Sequence, residues 1–155
     1  MTRYWLGIDP GITGALALLD EQGEAVELID MPGNVADLAD WIWGVWSWDT
    51  ATEHQIQAVV EIQSAYPKQG VVSSFKTGKG YGEILGCLAA LRIPYRLVAP
   101  GTWKRAMGVS ADKEQARAKA RERWPTASLS RKKDHGRAEA LLLAEYLRRQ
   151  ENASK

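Results

Sequence analysis

Three places in this sequence put an acidic side chain where an apolar run ends or a helix begins. Asp9 closes Tyr4-Trp5-Leu6-Gly7-Ile8, Glu61 closes Ala58-Val59-Val60, and Asp134, His135 and Glu139 open a helix-patterned segment of alanines and leucines. A carboxylate at the end of a buried strand is costly unless it is solvated, paired or bound to a metal. Two carboxylates side by side destabilise each other unless a cation lies between them, and hard divalent cations prefer oxygen ligands. His135 and Glu139 are four apart, so one face of a first helical turn presents both. Each station also has a plainer structural role. Asp9 can cap its own turn, Glu61 can be a surface glutamate, and Asp134 can cap the helix while Glu139 is solvated.

The elements that must carry these residues follow from the pattern. Tyr4–Leu19 reads as two short apolar strands around Pro10-Gly11 and Gly14, a tight hairpin with Asp9 at the mouth of its first strand. Residues 25–31 add a third strand and complete an antiparallel meander. Asn34 can cap a helix from about Val35 to Trp48, followed by a polar loop over 49–56. Ala58–Ile62 is a strand, and if it runs parallel to the first, Glu61 and Asp9 end on one sheet edge. A helix is expected from about Tyr81 to Leu91, a fifth strand over 94–98, and a short helix with Trp103, Lys104 and Met107. A charged helix capped by Ser110 runs to about Trp124, and the last helix is strong from Ala138 onward.

Composition bounds the class. The chain has 155 residues, 45% hydrophobic and 25% charged, which suits one globular domain over residues 1–155 with a real core. No apolar run is long enough to span a bilayer, no basic-then-apolar leader opens the chain, and lone Cys87 sits in a helical apolar pattern. The expectation is a soluble cytoplasmic protein with no membrane partner. Net charge is +1, yet residues 1–67 carry one cation against eleven carboxylates and residues 68–155 carry nineteen against eight. A half so rich in cations suggests a polyanionic partner, with nucleic acid the default. The alternative is that the two halves interleave in space and their charges mix.

Basic and aromatic residues cluster accordingly. Tyr66, Lys68, Phe75, Lys76 and Lys79 lie in a Gly/Ser-rich stretch suited to phosphate contact and base stacking, or to a plain surface loop running into a helix. Gly78, Gly80 and Gly82 follow no strand, so they carry no nucleotide-loop role. Lys104 and Lys113 are candidate backbone contacts, and Arg131-Lys132-Lys133 is a further basic cluster. Trp41, Trp43, Trp46 and Trp48 are more tryptophan than one buried stripe needs, and the surplus suits a protein–protein interface, of which dimerisation is the simplest.

Taken together, Gly7-Ile8-Asp9-Pro10-Gly11 with Gly14, Val59-Val60-Glu61, and Ala138-Glu139-Ala140-Leu141 after a basic loop make a sequence that resembles the RuvC family of Holliday-junction resolvases, within the RNase H-like superfamily, over nearly the whole chain. The wording is most similar to short phage-encoded members. The resemblance implies an α/β fold, RNase H-like, with a five-stranded mixed sheet (three antiparallel strands, then parallel) and helices on both faces. It implies a homodimer, branched DNA as partner, and two Mg2+ per active site with Mn2+ able to substitute. It also implies metal-dependent hydrolysis that nicks two opposed strands of a four-way junction. Carried over, Asp9 and Glu61 match the first two catalytic carboxylates. Glu139 matches the last, where the family has aspartate. The remaining acidic or histidine position falls on Gly136, which cannot bind a metal, so His135 or Asp134 must serve, with His135 favoured on helical spacing. Lys104 and Lys113 match lysines near the scissile phosphate, and Tyr66 and Phe75 lie in the region that inserts into the junction.

Three rivals are distinguishable. Another RNase H-like nuclease would act on other branched DNA or RNA–DNA hybrids. A catalytically silent protein would bind junctions without cutting them. A sugar-kinase-like ATPase, whose first hairpin also reads Gly-Ile-Asp-x-Gly, needs a second similar domain for which 155 residues leave no room.

Overall fold

The computed structural model describes residues 1–47 and 54–155, with the side chains of 48–54 outside the description. Trp48 and the first part of the expected loop after it therefore lie outside the described residues. The elements run β1 (Thr2–Asp9), β2 (Ala15–Leu19), β3 (Ala25–Asp30), α1 (Val35–Trp46), β4 (His54–Glu61), α2 (Val71–Ala90), β5 (Tyr95–Val98), α3 (Pro100–Met107), α4 (Lys113–Arg123), a 3-10 turn over Lys132–Asp134, and α5 (His135–Ala153).

The five strands form one mixed sheet in the order β3-β2-β1-β4-β5. β1 pairs antiparallel with β2, with Asp9 opposite Ala15, and β3 extends that meander. β4 runs parallel to β1, from Thr2 opposite His54 to Ile8 opposite Val60, and β5 runs parallel to β4. This is the expected architecture, antiparallel then parallel.

Both sheet faces are covered where the strands are central, which is why β2, Trp5–Ile8 of β1 and Ala58–Val60 of β4 are continuously apolar rather than alternating. Leu6, Ile8, Leu16, Leu18, Ala58 and Val60 pack with Leu38 and Ile42 of α1 and Ile84 and Leu88 of α2. The opposite set, including Trp5, Ala17, Val59 and Val98, packs with α3, α4 and α5. Side chains alternate along a strand, so Asp9 shares the face of Trp5, and Glu61 that of Val59. Both carboxylates therefore end on the α3–α5 side of the sheet.

Two element starts differ from the sequence expectation. The glycine-rich stretch read as a loop is the first half of α2, which begins at Val71 instead of about Tyr81. Each interior glycine costs a helix about 1 kcal/mol relative to alanine, but propensity yields to packing. Ile84 and Leu88 bury the second half, and Gly70 at the N-cap starts the helix early. The first turns project with Val71 87%, Val72 69% and Phe75 71% exposed, beside exposed Tyr66. The α4 cap is Asp112, which accepts from Glu114 N at 3.0 Å, whereas Ser110 Oγ accepts from Asp112 N one step earlier.

Candidate active site

The strand ends set the site. With Ile8 opposite Val60, Asp9 and Glu61 are the last residues of two adjoining parallel strands. The third carboxylate arrives on α5, which lies close across β1. Gly7 makes that approach possible: a Cβ there would stand 2.1 Å from the Ala140 carbonyl oxygen. Gly136 does the same one turn earlier, where a Cβ would stand 2.1 Å from the Thr13 carbonyl of the β1–β2 turn. Helix and hairpin thus dock backbone to backbone, and Glu139 is lowered onto Asp9. Asp9, Glu61 and Glu139 are all buried, at 8%, 8% and 7% exposure.

Their electrostatics show the crowding. Burial pushes the Asp9 carboxyl well above its ordinary range; the negative charges of Glu139 and Glu61 push the same way, and Asp9 and Glu139 are close enough to share a hydrogen bond. Burial also raises Glu61, with the Glu139 charge adding to it, while a hydrogen bond from Trp103 opposes the shift. Lys104 works against the rise at both.

α3 supplies the organic partners. Trp103, fully buried, donates Nε1–H to Glu61 Oε2 at 2.7 Å. The next residue, Lys104, places Nζ 3.6 Å from Glu139 Oε1, with both side chains largely covered. Trp103 was not among the site residues expected from sequence. The signal available was a tryptophan beside a candidate lysine, whose N–H must find an acceptor when buried.

The other candidates separate. Asp134 is buried but belongs to an arginine network: it accepts from Arg131 Nη2 at 2.6 Å and Arg131 N at 2.8 Å, and lies 3.8 Å from Arg137. Burial alone would raise its carboxyl, and the Arg131 hydrogen bonds more than reverse this, holding it below the ordinary value. Asp30 bridges the same two arginines from β3. Arg131 is thus tied to carboxylates, whereas Lys132 and Lys133 stay exposed. His135 stands at the rim. Its ring nitrogens face Lys113 Nζ and the Lys132 carbonyl, each at 3.4 Å. The tautomer that serves both has Nδ1–H donating to the carbonyl and Nε2 accepting from the ammonium. These residues, with Asp112, Glu114 and Lys133, line a cleft of about 380 Å3. Lys68 sits in the connection before α2, and Lys76 and Lys79 lie on α2, where Lys79 is 3.8 Å from Glu83.

The charge asymmetry partly mixes in space: Arg123 pairs with Glu24, and Arg131 and Arg137 with Asp30. On α1, Trp41 and Trp46 pack against the core, and Trp43 is 55% exposed.

Among the described residues, no three His, Cys, Asp or Glu side chains stand arranged to hold a metal ion. The chemistry of the donor set nonetheless fits a hard divalent cation: three buried carboxylates repel one another, and a cation relieves that repulsion. No described helix is long and apolar enough to cross a membrane.

No protein-family model matches the sequence, nor does any curated protein. Solved structures do match the fold. T. thermophilus RuvC in complex with a Holliday junction substrate superposes with a TM-score of 0.63 at 21% identity, over 96% of each chain. A second Thermus thermophilus RuvC structure gives 0.62 at 20% identity, again over 96% of both. At this identity the likeness is one of architecture: the chain has the RuvC-type, RNase H-like fold.

Proposed function

We propose that the protein is a metal-dependent endonuclease that resolves four-way DNA junctions. The observation that carries this is the convergence of Asp9, Glu61 and Glu139, remote in sequence, into one buried group with Lys104 against it. The fold likeness supports the substrate class, since one of the matching RuvC structures holds a Holliday junction substrate.

Asp9, Glu61 and Glu139 would hold Mg2+, or Mn2+ in its place. Bound there, divalent cations supply an activated water and stabilise the departing oxygen in phosphodiester hydrolysis. The chain's own residues do the rest. Trp103 fixes the rotamer of Glu61 through its indole N–H. Lys104 and Lys113 offset negative charge on the phosphate. Lys68, Lys76, Lys79, Lys132 and Lys133 follow the DNA backbone, and exposed Tyr66 and Phe75 stack on unpaired bases. A two-fold homodimer would present two such sites to two opposed strands, matching the symmetry of a junction.

A second reading, a junction-binding protein without cleavage, is favoured by one observation: Gly136 leaves no donor at its position, and its space is filled by the Thr13 carbonyl. One assay separates the two. The protein is incubated with a labelled four-way junction, a flap and an RNA–DNA hybrid, with Mg2+ or with chelator. Symmetric nicks in the junction that need Mg2+ and vanish in Asp9→Asn support resolution. Tight junction binding with no nicking supports the silent reading, and preferential cutting of the flap or hybrid redirects the substrate class.

A further inference from the structure

The cluster of three carboxylates already has a cation, and it is covalently part of the chain. Lys104 Nζ stands 3.6 Å from Glu139 Oε1, with the two side chains 18% and 10% exposed. The ammonium is also held 5.5 Å from the centroid of the Trp103 ring. Arg131 and Arg137 are engaged with Asp30 and Asp134, and Lys113 lies against His135. α3 thus addresses two carboxylates from consecutive residues, Glu61 through Trp103 and Glu139 through Lys104.

Resting on the metal reading above, we propose that Lys104 is the built-in counter-ion of the cluster and competes with the divalent cation for Glu139. In the metal-free protein the ammonium keeps the three carboxylates folded together despite their repulsion. A divalent cation must displace it, so metal affinity is set below what the carboxylates alone would give. The displaced ammonium is then free to meet the phosphate, so one lysine serves both states.

Glu139 therefore faces both Asp9, with which it is close enough to share a hydrogen bond, and the ammonium of Lys104. Two like charges near one carboxylate cannot both be fully satisfied, and a partly buried site screens their competition poorly.

The test is calorimetric titration of the purified protein with Mn2+ and with Mg2+, alongside thermal melts with and without metal. Wild type, Lys104→Met, Lys104→Arg and Asp9→Asn are compared. Lys104→Met should bind Mn2+ about tenfold more tightly than wild type, because no resident cation opposes entry. It should melt lower than wild type without metal and recover more on Mn2+ addition. Lys104→Arg keeps the charge and should stay near wild-type affinity, while Asp9→Asn should lose binding. Equal or weaker Mn2+ binding by Lys104→Met, with wild type binding normally, overturns the counter-ion role and leaves the metal site standing. Absence of binding in both wild type and Lys104→Met overturns the metal reading itself.

Discussion

Trp103 donates its indole N–H to Glu61 across 2.7 Å from inside a fully buried pocket. A hydrogen bond to a charged acceptor contributes about 1.5–3 kcal/mol, and the acceptor left behind is a buried carboxylate. Trp103→Phe keeps most of the apolar volume and deletes the donor. We expect it to lower the melting temperature and to cut junction nicking at saturating Mg2+, because Glu61 is no longer held in one rotamer. Melts and single-turnover nicking on the same sample check both effects; unchanged turnover would remove Trp103 from the site.

Asp9 sits where burial and two neighbouring carboxylates all oppose its charge. Removing that charge should relieve the fold. Asp9→Asn is expected to melt several degrees above wild type in chelator while losing Mg2+-dependent nicking entirely. Differential scanning calorimetry gives the first result and a junction assay the second. A variant that melts lower than wild type contradicts the crowding described here.

Glycines in the two long helices should respond to alanine with opposite signs. Gly78 of α2 has open space where a Cβ would point, so Gly78→Ala should stabilise by about 1 kcal/mol through helix propensity. Gly136 of α5 faces the Thr13 carbonyl at 2.1 Å, so Gly136→Ala should destabilise by about 3 kcal/mol through overpacking. Urea denaturation of the pair reads the contrast directly. Equal effects would mean that α5 does not dock as tightly as the geometry requires.

Glu145 gives an acid limb to stability. Burial alone would raise its carboxyl, but hydrogen bonds from Arg148 at 2.7 Å and Arg149 at 2.9 Å hold it below its ordinary value of 4.5. A carboxyl depressed in the fold contributes stability above its unfolded pKa and loses it as pH falls through the folded one. Glu145→Gln should therefore cost about 2 kcal/mol at pH 7 and almost nothing once the pH is well below 4.5. Stability measured against pH for both proteins checks the convergence at the acid end.

The strands and the acidic residues at their ends were legible because strand ends are local properties, while the mixed five-stranded sheet followed from the resemblance. Asp9 and Glu61 each end an apolar run, and parallel pairing of those runs was enough to bring them together. What escaped depended on how the side chains are turned and packed rather than on spacing. Asp134 has the sequence context of a ligand, and only Arg131 and Arg137 folding over it, with Asp30 arriving from β3, turn it into a structural ion pair. The start of α2 was obscured by glycines, whose local cost is outweighed by Ile84 and Leu88 further along the same helix. The role of Trp103 depends on where α3 lies against β4, which no spacing encodes.

The register of β1 and β4 turns their final residues into a fixed gauge. Neighbouring strands keep a separation of about 4.8 Å whatever side chains they bear, so selection has little means of moving Asp9 relative to Glu61. Glu139 is carried instead by a helix docked over the sheet through Gly7 and Gly136, where side-chain length rather than strand spacing sets the reach, and it is there that a glutamate stands in place of the aspartate of the resembled motif. Variation in such a centre should accumulate at its helical member, leaving the two strand-borne members as the invariant reference.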